Sequence, residues 1–318
     1  MAARRFGLET AEIPAPDFDL ALTLNSGQVF HWRAVGAGFA GTMGDEPVYV
    51  ERRGEALLVA PAARAVGVAR YFALDHPLAE IRGSLPSDDS TLTTAADACA
   101  GLRIMRQPLW ECTATFITSA MKQVAHIRQI SQTLRERYGC AVRAGALELR
   151  AYPTPAALAA LREADLRACG LGFRAAKLLA TAQRFAAGEM PEKALRRFDR
   201  EEAERILRTL PGVGPKVANC VLLFALEHLN AFPIDVWVER VLRDTYFPRK
   251  RRVTAGRLRD FAQTHFGPYG GYAQQYLFHH ARTGPRKHET RNSKLEKGLR
   301  LKIKTRPPQC RGKPKSEI

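Results

Sequence analysis

Residues 210–220 read LPGVGPKVANC. Leu210 closes REEAERILRTL (200–210), a stretch whose apolar spacing predicts a helix. Pro211 and Gly212 stop that helix, because proline lacks the N–H and glycine takes positive φ. Gly214 comes two residues on, and Pro215 suits the first position of a new helix. The stretch therefore predicts helix, tight turn, helix. Gly212, Val213 and Gly214 bring backbone N–H groups to the positive end of the second helix, where a phosphate is held without any reading of base sequence. The bland alternative is a turn between two helices that binds nothing.

Lys216 falls in the first turn of the second helix. The helix dipole and partial burial both disfavour an ammonium there. A neutral amine is a nucleophile toward an electrophilic sugar carbon and forms a Schiff base. A charged lysine that grips phosphate fits the spacing equally well. The tie is broken in NAFPIDVWVER (230–240). Asp235 has the position of an N-cap, whose accepted N–H bonds keep it ionised. A helix over 215–228 spans about 20 Å at 1.5 Å per residue, and a loop at 229–234 turns the chain back toward Lys216. A carboxylate there stabilises positive charge developing on a sugar as its base departs. Its alternative role is capping alone.

The chain around this motif has 318 residues, 46% of them hydrophobic, enough for one large domain or two ordinary ones. Its formal charge of +17 points to a polyanionic partner, most simply nucleic acid, against the alternative of a solvated basic surface. Residues 284–318 hold twelve Lys/Arg against three acids, so the tail carries +9 and the body remains basic at +8. The cysteines at 99, 112, 140, 169, 220 and 310 are scattered, with no CxxC or C-x-x-H pattern. That disfavours a zinc or iron–sulfur site of local spacing and suggests a reducing compartment. The N-terminus lacks the apolar core of a signal peptide, and no window approaches ~18 apolar residues, so no membrane contact is expected.

Residues 18–83 read as strand-rich: FDLALTL (18–24), VFHWRAV (29–35), PVYVERR (47–53) and GEALLVAP (54–61), with NSGQ (25–28) as a turn and Gly36, Gly38, Gly41 and Gly44 in the connections. From about residue 90 helical spacing takes over, at 91–105, 109–138, 155–168, 174–187, 199–209, 215–228, 235–246 and 255–265. The fold class expected is α+β. A small N-terminal antiparallel β-containing domain (1–95) precedes a larger all-helical domain (96–283) with a helix-hairpin-helix at about 199–228. The basic tail (284–318) is expected to be disordered.

LPGVGPKVANC followed by PIDVWV (233–238) resembles the helix-hairpin-helix, Gly-Pro-rich, catalytic-Asp superfamily of DNA base-excision glycosylases, and within it the 8-oxoguanine DNA glycosylases. Matching texture runs through LNSGQVFHWR (24–33), LRIMRQPLWECTATFITSA (102–120), CGLGFRAAK (169–177) and GPYGGYAQQYLF (267–278), covering about residues 18–282. The resemblance implies base flipping, attack of Lys216 on C1′, an imine, and β-elimination that nicks the strand 3′ to the lesion. Asp235 then carries the electrostatic or base role. No cofactor and no catalytic metal are implied, though an alkali ion at the hairpin carbonyls is compatible with it. The implied base pocket is the Gly27 carbonyl facing the N7–H of 8-oxoguanine, Phe278 and Cys220 on the purine faces, and Gln274 on its Watson–Crick edge. The implied readers of the orphaned base are Met121, as an apolar plug, His126 in place of one of the family's two arginines, and Arg174 as the other. Phe173 takes a wedge position where the family has Tyr. These departures predict a weakened preference for the base opposite the lesion. Trp237 replaces a phosphate-contacting His.

The partner expected is duplex DNA containing a damaged base, bound by a monomer, in the nucleoid of a bacterium or the nucleus of a eukaryote. Two alternatives stand beside this: a glycosylase of the superfamily for another damaged base such as an alkylated purine, and a DNA-binding module without catalysis. The first is disfavoured by Lys216, since monofunctional members lack a hairpin lysine. The second is disfavoured by the joint presence of Lys216 and Asp235.

Overall fold

The computed structural model describes residues 6–119, 123–249 and 252–284. Met121 and the basic tail from residue 285 lie outside the described residues.

β1 (Ala11–Pro14) leads into α1 (Leu20–Asn25), where a strand was expected from the alternation of FDLALTL. The Asp19 side chain accepts the Leu22 N–H at 2.8 Å, and the buried Leu20, Thr23 and Leu24 follow helical spacing. An N-cap and a three-to-four residue apolar stripe outweigh a partial period of two. β2 (Arg33–Val35), β3 (Gly38–Met43), β4 (Glu46–Arg53) and β5 (Ala56–Ala60) complete a five-stranded antiparallel sheet of order β1-β5-β4-β3-β2. Gly38 and Gly41, expected in connections, lie within β3. A Cβ on Gly41 would stand 2.4 Å from the Trp32 indole, so that glycine admits a ring rather than a turn.

β4, at the centre of the sheet, and its neighbour β5 are buried on both faces, which is why they read as nearly continuous apolar runs. Val48, Val50, Leu57 and Val59 pack with Phe18, Leu20, Leu24 and Phe72 on one side. Tyr49, Leu58 and Ala60 pack with Ala40 and Leu147 on the other.

α2 (Ala65–Tyr71), α3 (Leu78–Gly83) and α4 (Ser90–Ala98) follow. The helix expected over 91–105 stops at Ala98, and residues 102–107, all buried but the half-buried Arg106, belong to no helix or strand. The helix expected over 109–138 is two, α5 (Leu109–Ser119) and α6 (Val124–Tyr138), with Gln123 extended at the start of the second. A hairpin of β6 (Ala141–Ala144) and β7 (Leu147–Arg150), unforeseen in the sequence, sends Leu147 back to the outer face of the sheet. α7 (Pro155–Ala159) and α8 (Glu163–Leu166) divide the helix expected over 155–168, and a wide turn at Arg167–Leu171 follows. α9 (Arg174–Ala186), α10 (Glu192–Leu195), α11 (Arg200–Leu207), α12 (Pro215–Phe224), α13 (Val236–Tyr246), α14 (Ala255–Phe266) and α15 (Gly270–Thr283) close the body.

α5 and α12 form the centre of the helical core. Every α12 residue from Val217 to Phe224 is buried, and Phe116 of α5 stacks on Phe224 at 5.5 Å. The described residues through Ala281 belong to one compact unit. A buried charge cluster joins its parts: Arg135 of α6 donates to Glu111 of α5, to the Thr42 hydroxyl at 2.9 Å and to the Arg150 carbonyl at 3.0 Å. His31 Nδ1 lies 3.3 Å from Glu111. Burial pushes the Glu111 carboxyl up against the pull of Arg135, and burial with Arg135 holds the His31 imidazole well below its ordinary value.

Candidate active site

The hairpin is built as its residues dictate. Asp199 caps α11 by accepting the Glu202 N–H at 2.8 Å. Gly212 takes φ +88, and a Cβ there would meet Lys177 Cβ at 3.1 Å and Ile117 Cγ2 at 3.2 Å. Glycine is thus required twice over, by its dihedral and by the closeness of α9 and α5. α9 also grips the turn: the Thr181 hydroxyl donates to the Pro211 carbonyl at 2.8 Å, and Arg184 donates to the Thr209 carbonyl at 2.7 Å. Val213 is buried and its N–H donates to the Leu210 carbonyl at 3.1 Å, so, against the expectation from the sequence, that amide is taken up by the turn itself rather than offered to a phosphate. Gly214 caps α12 with no side-chain bond, and a Cβ there would meet nothing within 4 Å. First-turn amides at an open glycine cap form a socket for an anion.

Lys216 is half-buried in the first turn of α12. Its amine donates to the Ser119 hydroxyl at 3.3 Å and lies 4.9 Å from the centre of the Phe116 ring. Cys220 stands one turn further along and is almost completely buried. Burial pushes the Cys220 thiol up to about 11, while Lys216 pulls it down and Asp235 pushes it up. The Asn219 side chain of α12, three residues past Lys216, accepts the Phe232 N–H at 3.3 Å, which ties the loop leading to Asp235 back to α12. The return is shorter than expected, because α12 ends at Phe224 rather than near residue 228. The Leu226 N–H bonds to Val221 and Glu227 takes φ +63, which unwinds the chain early. Asp235 caps α13 by accepting the Val238 N–H at 2.9 Å. A cavity of about 240 Å³ opens beside Lys216, bounded by Asn219, Phe232, Ile234 and Glu239.

The proposed base pocket draws on distant parts of the chain. Gly27 takes φ +92, and a Cβ there would stand 3.0 Å from Phe278 Cε1, so the turn and the α15 ring are in contact. Gln274 lies one turn before Phe278 on the same helix and is 4% exposed. Its Oε1 is buried with no hydrogen-bond partner among the described residues. Buried polar atoms are nearly always satisfied, and an orphan acceptor marks a place where a donor arrives. Phe116 links the two halves of the site: it lies beneath Lys216 and packs edge-on against Phe30 at 6.3 Å, three residues past Gly27.

His126 lies in the first turn of α6, near Gly170 of the wide turn that precedes Phe173 and Arg174. A Cβ on Gly170 would meet His126 Nε2 at 3.8 Å. Phe173 is 59% exposed, with the buried Arg174 guanidinium 4.4 Å from the centre of its ring. Trp237 is partly exposed in the first turn of α13, with Arg240 5.5 Å from its ring centre. Ser119 and Phe116, which hold the Lys216 amine, carried no role in the sequence reading. Their signal was the FITSA stretch itself, which lies beside the hairpin only in three dimensions.

Among the described residues no group of three or more His, Cys, Asp or Glu side chains could hold a metal ion, and no helix is long and apolar enough to cross a membrane.

Residues 11–113 match the family model described as 8-oxoguanine DNA glycosylase, N-terminal domain. Residues 114–262 match the HhH-GPD superfamily base excision DNA repair protein model. A probable N-glycosylase/DNA lyase of Methanothermobacter thermautotrophicus is 30% identical over 85% of this chain and 95% of its own length. The N-glycosylase/DNA lyase OGG1 of Arabidopsis thaliana is 28% identical over 82% and 77%. The Clostridium acetobutylicum 8-oxoguanine glycosylase/lyase, solved with double-stranded DNA containing cytosine opposite 8-oxoG, superposes with a TM-score of 0.79 at 30% identity, covering 86% of this chain and 97% of that one. A 3-methyladenine DNA glycosylase from Archaeoglobus fulgidus shares the fold, at 21% identity and a TM-score of 0.71. With both halves of the body matched and full-length relatives on either side, the chain belongs to the 8-oxoguanine DNA glycosylase family of the HhH-GPD superfamily.

Proposed function

We propose that this protein excises 8-oxoguanine from duplex DNA and then nicks the strand at the resulting abasic site. The observation that supports this reading is the opening beside Lys216: Ile234, the residue before the Asp235 cap, and Glu239 of α13 bound the same cavity as the amine.

The first-turn amides of α12 grip a backbone phosphate, and the damaged nucleotide swings out of the stack. Phe173 fills the opened stack. The Gly27 carbonyl accepts from N7–H of the lesion; in guanine it would face a lone pair, a mismatch that costs on the order of 1–3 kcal/mol in a dry site. Gln274 supplies an acceptor to the Watson–Crick edge, and its orphan Oε1 supports that role. Phe278 and Cys220 cover the purine faces. The Lys216 Nζ lone pair attacks C1′ as the C1′–N9 bond breaks and its electrons leave with the base. Asp235 stabilises the positive charge on the sugar. The amine sheds its proton, the C1′–O4′ bond breaks as O4′ takes up a proton, and the opened sugar is left as an imine; its C2′ proton is then removed and the C3′–O bond breaks, so that the 3′ phosphate departs by β-elimination. A monomer bound to damaged duplex DNA suffices for these steps, and they take place wherever the genome lies, in nucleoid or nucleus.

The test is direct detection of freed bases from duplexes carrying 8-oxoguanine, guanine or 3-methyladenine. Release of 8-oxoguanine alone, with a nick 3′ to the lesion, supports the reading. Release of 3-methyladenine instead, or DNA binding with no base release, contradicts it.

A further inference from the structure

The carbonyls on both sides of Gly27 have dedicated donors. Gln275 Nε2 donates to the Ser26 carbonyl at 3.0 Å, and Gln107 Nε2 donates to the Gln28 carbonyl at 3.0 Å. The Gln28 side chain turns inward and pairs with the buried 102–107 segment as a strand would. Its Nε2 donates to the Arg103 carbonyl at 2.8 Å and the Ser26 hydroxyl at 3.0 Å, and its Oε1 accepts the Met105 N–H at 2.9 Å. The Ser26 hydroxyl in turn donates to the Thr23 carbonyl at 2.7 Å. Gln28, Gln107 and Gln275 are 0%, 5% and 2% exposed. Glutamine is a residue of surfaces, so three buried around one turn need a reason. Among the described residues, no hydrogen bond is made to the Gly27 carbonyl.

We infer that Gln28, Gln107 and Gln275 are positioning residues that clamp the peptides flanking Gly27 and so fix the direction of its carbonyl. This rests on the reading of Gly27 given under Proposed function, and it deepens that reading by naming what sets the selectivity. Glycine at φ +92 is free to rotate. A carbonyl that swings gains little from an N7–H, because hydrogen bonds weaken steeply off axis. It also escapes the lone pair of guanine, which is the contact that should reject the normal base. Fastening the carbonyls before and after it leaves the middle one a narrow arc, and its lack of an internal partner leaves it to the ligand.

The experiment compares two substrates in single turnover: a duplex with 8-oxoguanine and a duplex with a preformed abasic site, which presents no base to the turn. Gln107→Met and Gln275→Met each remove one clamp donor at nearly constant volume. The clamp predicts that the ratio of 8-oxoguanine release to abasic-site nicking falls about tenfold or more in each, a factor that corresponds to about 1.4 kcal/mol. Equal loss on both substrates, or no loss on either, overturns it. If Gln107→Met does not fold, Gln275→Met still decides, since it strips a donor from the Ser26 carbonyl alone. A wild-type protein that nicks abasic sites yet releases no 8-oxoguanine overturns the functional reading itself and the clamp's purpose with it, an outcome distinct from a clamp failure in an active wild type.

Discussion

Lys216 donates to the Ser119 hydroxyl at 3.3 Å, which ties the first turn of α12 to the last residue of α5. The Ser119 hydroxyl itself donates to the Phe116 carbonyl at 2.8 Å, so its free lone pair is turned toward the amine. Removing it by Ser119→Ala deletes one neutral hydrogen bond, worth about 1 kcal/mol. The expected result is a three- to tenfold slower single-turnover release of 8-oxoguanine, with little change in Tm, because the hydroxyl's other bond is local to its own helix.

Gly27→Ala meets two obstacles together. The dihedral of +92° is unfavourable for an L residue, and the new methyl would press on Phe278 at 3.0 Å. Strain of about 1–3 kcal/mol should lower Tm by several degrees. Excision of 8-oxoguanine should fall by more than tenfold, while nicking of a preformed abasic site is largely retained. Calorimetry and the two single-turnover assays check this.

Phe173 exposes 59% of its surface at the start of α9, and the Arg174 guanidinium 4.4 Å from its ring centre holds the ring in place. An apolar wedge offsets part of the cost of unstacking a base step, a few kcal/mol. Phe173→Ala should therefore weaken binding to lesion duplex about tenfold or more, measured by titration at fixed salt. With His126 at the position the sequence comparison assigns to one of two arginines, wild-type excision opposite A should come within about tenfold of excision opposite C, since one good base contact accounts for about 1–3 kcal/mol.

The hairpin, the Asp235 cap and the basic character were legible because their causes are local or compositional. Pro211, Gly212 and Pro215 act on their own dihedrals, and Asp235 acts over three residues. In FDLALTL the Asp19 cap on the Leu22 N–H outweighs the partial alternation, and the stretch is helix rather than strand. The break between α5 and α6 had no stop signal that single-residue propensity shows, and the 141–150 hairpin carries no aromatic or β-branched run. Pairing of Gly27 with Phe278 joins opposite ends of the body, which no local pattern reports. Glu111, Gln28 and Gln275 look like surface residues by type; only their partners explain why they are inside.

Stability should fall as the solution is acidified through the histidine range. Burial first, and then neighbouring arginines, lower His31, His76 and His228, with His76 at about 4. Above about pH 6.5 these groups are neutral in both folded and unfolded chains and have no effect. Below it the unfolded chain takes up protons that the folded one refuses, so unfolding gains until the folded groups also titrate. For His76 that window runs from about 6.5 down to about 4, where the loss levels off. Asp75 and Asp89, both held low, add a further loss only below the ordinary aspartate value of about 3.8. Thermal unfolding should show Tm falling from pH 6.5 to 4.5; a Tm that rises over that range would contradict the burial of these rings.

In the proposed reaction the Lys216 amine becomes bonded to deoxyribose when the base leaves. Borohydride reduction during turnover on an 8-oxoguanine duplex tests it directly. The account predicts a covalent protein–DNA adduct with wild type, mapped to Lys216 by peptide mass, and none with Lys216→Gln even though that variant still binds the duplex. An adduct that persists in Lys216→Gln, or base release at the wild-type rate without the amine, contradicts it.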